Sequence, residues 1–205
     1  MHKSKKLPRS HDSMNESDGL KNSLQWYESP AGRVITFYLS GEIKESSLYS
    51  DWFQTIRTAS ETDIIYFRIN SPGGDLFTAI QMMRAITESK AHIVSSVEGI
   101  CMSAATMIFL AADTFEVSDH TMFMFHNYSS GIVGKGGEMY DQVVHTHQWS
   151  ERLMHEIYKD FLTSAEIKAI LDNKDIWMDS QEVVKRLKSK ATTEEKKPTR
   201  RTKKT

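Results

Sequence analysis

Two side chains in this sequence could together do nucleophilic chemistry: a serine opening an apolar run and a histidine closing a short apolar strand. Ser103 follows Gly99-Ile100-Cys101-Met102 and precedes a run of small and apolar residues that reaches Ala112. A serine hydroxyl is a poor nucleophile unless its proton leaves as it attacks. An imidazole, with its near-neutral pKa, can take that proton, provided a third group orients the ring. Taken alone, a serine at a helix start is most often a plain N-cap. Of the eight histidines, His126 ranks first as the base because it ends Met122-Phe123-Met124-Phe125, at a strand exit. His2 and His11 lie in a polar start, His92 begins a strand, His120 sits in a turn, and His145, His147 and His155 belong to a long helix. A buried or capping role for His126 remains the plainer alternative. A third feature is Ser71-Pro72-Gly73-Gly74, where paired glycines let backbone N–H groups approach a phosphate or an oxyanion closely. An ordinary tight turn would look the same.

Other chemistries find less support. His145 and His147 are two apart on a helix and point in different directions, and one cysteine cannot build a thiolate cluster. No metal site and no cofactor are therefore expected. The chain lacks a phosphate-binding loop of the Gly-x-x-x-x-Gly-Lys-Ser/Thr kind, so no ATPase activity is expected of it.

The elements that must carry these residues alternate between strand and helix. Residues 34–39 and 63–70 are rich in β-branched and aromatic side chains and read as strands, the first ended by Gly41. A helix is predicted over 47–59. Leu76, Ile80, Met83 and Ile86 recur at helical spacing. Residues 92–97 make a third strand that Gly99 should break, and 103–112 a compact helix. Short strands are expected over 114–117 and 121–125. Gly131, Gly134, Gly136 and Gly137 predict an extended loop. A long helix over 138–161 follows, with an apolar stripe of Met139, Val143, Trp149, Leu153 and Ile157. A short helix over 164–171 comes next. A last helix starts near Asp179, which stands at capping-box spacing from Glu182. Alternation at these lengths predicts an α/β fold with a mostly parallel sheet flanked by helices.

The 205 residues suffice for one domain with a sizeable core. Its bounds are expected at 23–187, between a mobile N-terminal segment (1–22) and a disordered basic tail (188–205). Eleven methionines point to an irregular core or a contact surface. Cys101 is the only cysteine, which fits a reducing, cytoplasmic setting. The start reads as no signal peptide, and the longest apolar run is too short to cross a bilayer. The net charge of −1 conceals an acidic body and a tail, from residue 184, with ten basic and two acidic side chains. Such a tail could neutralise phosphates. The expectation is instead a solvated tail, or one touching an acidic neighbouring subunit, with no membrane or nucleic-acid partner.

Four segments together resemble one family. Ile69-Asn70-Ser71-Pro72-Gly73-Gly74, Gly99-Ile100-Cys101-Met102-Ser103-Ala104-Ala105-Thr106, Met124-Phe125-His126-Asn127 and Asp175-Ile176-Trp177-Met178-Asp179-Ser180-Gln181-Glu182 occur in the order found in Clp protease proteolytic subunits. The nucleophile segment is most similar to that of the shorter phage and prophage members, and Met102 stands where cellular members often have a small residue. The resemblance implies the crotonase-like fold with a projecting handle helix. It implies a serine endopeptidase with Ser103 as nucleophile, His126 as base, Asp175 orienting it, and the Gly74 and Ala104 amides as oxyanion hole. It also implies unfolded polypeptide or peptide substrates, a homo-oligomeric ring, commonly two stacked heptamers, and an AAA+ unfoldase as partner. Two other readings stand beside it: a catalytically inactive ring component, and an acyl-CoA enzyme on the same crotonase-like fold.

Overall fold

The structure, a computed structural model, describes residues 23–29 and 32–195. The segment 1–22 and the end of the tail, 196–205, lie outside the described residues, so the expectations placed on them stay untested.

Among the described residues, seven strands form one sheet in the order β1-β2-β3-β4-β6-β7, with β5 beside β4. They are β1 (Ser23–Ser29), β2 (Gly32–Ser40), β3 (Ile64–Ser71), β4 (His92–Met102), β5 (Thr114–Val117), β6 (Met122–Phe125) and β7 (Ile176–Asp179). The pairings β2–β3, β3–β4, β4–β5 and β4–β6 are parallel; β1–β2 and β6–β7 are antiparallel. The helices are α1 (Ser50–Thr58), α2 (Leu76–Glu88), α3 (Ala104–Leu110), α4 (Gly136–Tyr158), α5 (Ser164–Leu171) and α6 (Ser180–Glu195). The α/β expectation holds.

Alternation along the strands decides which side of the sheet is buried. Ile35, Phe37 and Leu39 of β2, Ile65, Phe67 and Ile69 of β3, and Ile93, Val97 and Cys101 of β4 all point into one core, shared with Ile56, Ala79, Met82, Met107 and Phe109 of the helices. Met82, Met107, Met154 and Met178 are buried there, whereas Met122 is exposed.

Several elements differ from the sequence reading. β1 was not foreseen: it is an edge strand that gains its extended form by pairing with Gly32–Tyr38 of β2. Gly99 does not break β4, which continues to Met102. The register against β3 shifts between Ile69 and Ser71, and the Asn70 side chain fills the irregularity, accepting from Ile100 N–H at 3.1 Å. A Cβ on residue 99 would lie 2.4 Å from Asn70 Oδ1, so the glycine makes room for that side chain. α4 begins at Gly136, inside the expected loop, and buries Ser150, Met154 and Tyr158, while Val143 of the expected stripe is exposed. The capping box forms at Thr163 and Glu166. Asp179 accepts from Glu182 N–H, but the Glu182 side chain turns to Arg186 instead of returning to the cap. Finally, α6 runs to Glu195, so the chain stays helical beyond residue 187, where a disordered tail was expected.

Candidate active site

The site forms where β4 gives way to α3. Ser103 N–H still belongs to the strand side and donates to Met124 O at 2.8 Å, while Ser103 O already belongs to the helix and accepts from Thr106 N–H at 3.0 Å. The chain must pass from strand to helix within one residue, and Ser103 does so at φ 54°, ψ −129°. For a residue with a side chain, that conformation costs on the order of 1–3 kcal/mol and persists only where the surroundings enforce it. The Ser103 side chain caps no backbone amide of α3, so the N-cap reading does not account for it.

His126 leaves the end of β6, beside Ser103. Its Nε2 lies 2.6 Å from Ser103 Oγ, within a strong hydrogen bond. The pairing of β4 with β6 is what brings them together: Met102 is registered on Met124, so the residues that follow each strand meet. Met102, paired in this ladder, lies on the side of β4 opposite the buried Cys101.

The glycine turn closes on the same point. Gly73 and Gly74 take φ +94° and +145°, which side-chain-bearing residues rarely adopt. A Cβ on Gly73 would stand 2.7 Å from both Met102 O and Ser103 Cβ. The turn is stitched in place by Ile43, whose N–H donates to Gly73 O at 2.8 Å and whose carbonyl accepts from Asp75 N–H at 2.8 Å. Neither Gly74 N–H nor Ala104 N–H has an acceptor among the described residues. Both residues line a cavity of about 500 Å³ together with Ser103 and His126. Phe77 and Trp149, stacked at 5.8 Å, form one wall of it. Unpaired amides beside a hydroxyl–imidazole pair can stabilise negative charge on an oxygen attacked from that hydroxyl.

Asp175 immediately precedes β7, and Ile176 is registered on Phe125, so residues 126 and 175 leave adjacent antiparallel strands side by side. The Asp175 carboxylate is exposed, and no hydrogen bond joins it to His126. The structure thus unites Ser103, His126, Gly74 and Ala104 around one cavity and brings Asp175 near them by register without a bond.

Two residues at the site were not foreseen. Tyr158, the last residue of α4, is buried, and its hydroxyl lies 2.7 Å from Thr106 Oγ1. Thr106 Oγ1 in turn lies 2.6 Å from Ser103 O. Burial pushes the Tyr158 phenol well above its ordinary pKa, so it stays protonated. Its link to Thr106 spans 52 positions and leaves no local trace. The only hint available in the sequence was a hydroxyl three residues after Ser103. Among the described residues, no cluster of His, Cys, Asp and Glu could hold a metal ion.

Residues 31–186 match the family described as Clp protease. No curated protein matches the chain.

Proposed function

The chain belongs to the Clp protease family, and we propose that it is a serine-type endopeptidase acting through an acyl-enzyme intermediate. The observation that carries this reading is the 2.6 Å contact between His126 Nε2 and Ser103 Oγ, made at a strained backbone beside two unspent amides.

In the proposed reaction, a peptide carbonyl enters with its oxygen toward the Gly74 and Ala104 N–H groups. His126, protonated on Nδ1, takes the Ser103 hydroxyl proton at Nε2 as Oγ attacks the carbonyl carbon. The tetrahedral oxyanion is held by the two amides. His126 then gives its proton to the leaving amine, and the acyl-enzyme forms. Water repeats the sequence, losing a proton to His126 and freeing the carboxylic acid and Ser103. Asp175 accepts from Nδ1–H, holding the ring in the useful tautomer and favouring its charged form. That role requires the exposed segment before β7 to bring the carboxylate onto the ring, and we assign the movement to assembly.

The finer features follow the family. Unfolded polypeptide or peptide substrates, a homo-oligomeric ring of stacked heptamers and an AAA+ unfoldase are proposed as its partners. A phage or prophage setting is proposed from the nucleophile segment. No described helix is long and apolar enough to cross a membrane.

A fluorophosphonate probe tests the chemistry. The wild-type chain should be labelled at Ser103, and Ser103→Ala should not. His126→Ala and Asp175→Asn should each slow hydrolysis of a small peptide ester by about 10²-fold or more. Full activity in His126→Ala would remove His126 from the base role. The open gap between Asp175 and His126 favours one competing reading, an inactive ring component, and an assembled wild-type particle that takes no label would establish it. Thioester turnover without labelling would point to the acyl-CoA alternative.

A further inference from the structure

The strained turn at Ser103 needs something to hold it, and the hydrogen bonds around it show what does. Ser103 O accepts twice from Thr106, from its N–H at 3.0 Å and from its hydroxyl at 2.6 Å. Thr106 Oγ1 has one proton, and the bond to the Ser103 carbonyl uses it. The 2.7 Å contact with Tyr158 must therefore run the other way, with the Tyr158 O–H donating to Thr106 Oγ1. A directed chain results: Tyr158 O–H to Thr106 Oγ1, Thr106 O–H to Ser103 O. Thr106 and Tyr158 are 0% and 1% exposed, so water cannot substitute for either.

The peptide plane converts this into chemistry. Ser103 C=O and Ala104 N–H belong to one planar trans peptide and point in opposite directions. Fixing the carbonyl oxygen fixes the direction of the N–H of Ala104, a residue that lines the cavity. The same tyrosine braces the other partner: its ring packs edge-on against Phe125 at 5.5 Å, and Phe125 immediately precedes His126. One side chain on α4 thus touches the strand that ends in the imidazole and, through one hydroxyl, the peptide that begins α3.

We propose that Tyr158 and Thr106 are positioning residues that aim the Ser103–Ala104 peptide at the developing oxyanion and keep Ser103 in reach of His126. The inference rests on the peptidase reading, and it predicts a specific kinetic signature. Aiming an oxyanion donor matters mainly in the transition state, so its loss lowers kcat and leaves KM nearly unchanged.

The test uses the full-length chain with Thr106→Val, Thr106→Ser, Tyr158→Phe and the Thr106→Val/Tyr158→Phe pair. The readouts are the rate of fluorophosphonate labelling, kcat and KM on a small peptide ester, and thermal melting. Thr106→Val alone strands a buried tyrosine hydroxyl and should lower the melting temperature. The double variant replaces both partners with apolar groups of similar shape and should recover much of that loss. If the chain only stabilises the fold, activity recovers with it. If it positions the peptide, the double variant melts near the wild type yet labels and turns over about tenfold more slowly, with KM little changed. Thr106→Ser, which keeps the hydroxyl, should restore the rate. Wild-type rates in a folded double variant would overturn the positioning role alone. A double variant that does not fold passes the decision to Tyr158→Phe and Thr106→Ser: the role survives only if the first slows labelling and the second does not. An unlabelled wild-type chain would withdraw the peptidase reading and this inference with it.

Discussion

The nucleophile is held from three sides at once, and the side with least tolerance is the glycine turn. Gly73 sits at φ +94°, where a side chain is strained whatever the space around it. There is also no space: an added Cβ would fall 2.7 Å from Met102 O and from Ser103 Cβ, and 3.0 Å from Ala104 N. All three are atoms of the turn that presents the hydroxyl and the candidate oxyanion donor. Gly73→Ala should therefore push on the nucleophile itself, cutting the fluorophosphonate labelling rate by about 10²-fold and the stability by about 2 kcal/mol or more. Gly136→Ala is the matched control. Nothing lies within 4 Å of its added Cβ, and its chain entropy change should leave labelling unchanged and shift stability by no more than about 1 kcal/mol. Labelling kinetics and urea melts on the two variants check both statements. Equal behaviour would show that the turn has room that its geometry denies.

At the scale of elements, the segment carrying Asp175 is flanked by α5 and α6, and one ion-pair network fastens those helices together. Arg186 of α6 reaches Glu166 of α5 with two bonds of 2.9 and 2.8 Å, and Glu182 with a third of 2.7 Å. The Thr163 N–H and hydroxyl also donate to Glu166. Arg186 first, then the Thr163 bonds, hold the Glu166 carboxyl down to about 2 against the opposing effect of partial burial. A depressed folded-state pKa adds stability that is complete above the unfolded value, near 4.5, and is lost as pH falls through the folded one. Glu166→Gln should cost on the order of 1–3 kcal/mol at pH 7. Its denaturation midpoint should converge with the wild type's as pH drops from about 4.5 toward 2. Asp63, held well below the carboxylate range chiefly by Arg33, titrates alike in both proteins and cancels from the difference. Parallel curves across that pH range would discharge Glu166 from the role. This corner also shows what the sequence could and could not disclose. The bounds of α5 were legible residue for residue, because they are set locally, although its capping box at Thr163 and Glu166 was not read from the sequence. The end of β6 before His126 was legible for the same reason. The path of β4 past Gly99 depends on a side chain of β3, β1 exists through its pairing with β2, and the Tyr158–Thr106 link depends on how α4 is rotated over α3. None of these is written in any one segment.

At the scale of the molecule, α4 is half used. Met139, Val143, Thr146, Ser150, Met154 and Ile157 recur at intervals of three and four, which traces a single stripe along the helix. Its second half is anchored: Ser150 and Met154 are buried, and Tyr158, on the edge of the same face, is tied to Thr106. The first half has no such cover among the described residues, with Val143 at 51% exposure and the neighbouring Tyr140 and Val144 also exposed. A helix gains most of its stability from burying an apolar face, and the glycines that open α4 work against it. Among the described residues nothing covers the first three turns, and we propose that a partner does. A second copy, meeting them with the same stripe, is the simplest source, and it fits the proposed stacking of rings. Val143→Asp would place a charge in the middle of that contact while leaving the Tyr158 anchor and the Ser103 turn untouched. Light scattering should find the wild type as a particle many times the 23.5 kDa chain, and the variant at about half the wild-type mass. Circular dichroism should show subunits that remain folded, with the loss of helix confined to a few turns. If assembly also draws Asp175 toward His126, the separated variant should label more slowly than the wild type even though its Ser103–His126 pair is intact. A wild-type chain that scatters as a monomer would remove the ring, and a variant of undiminished mass would move the contact off this face of α4.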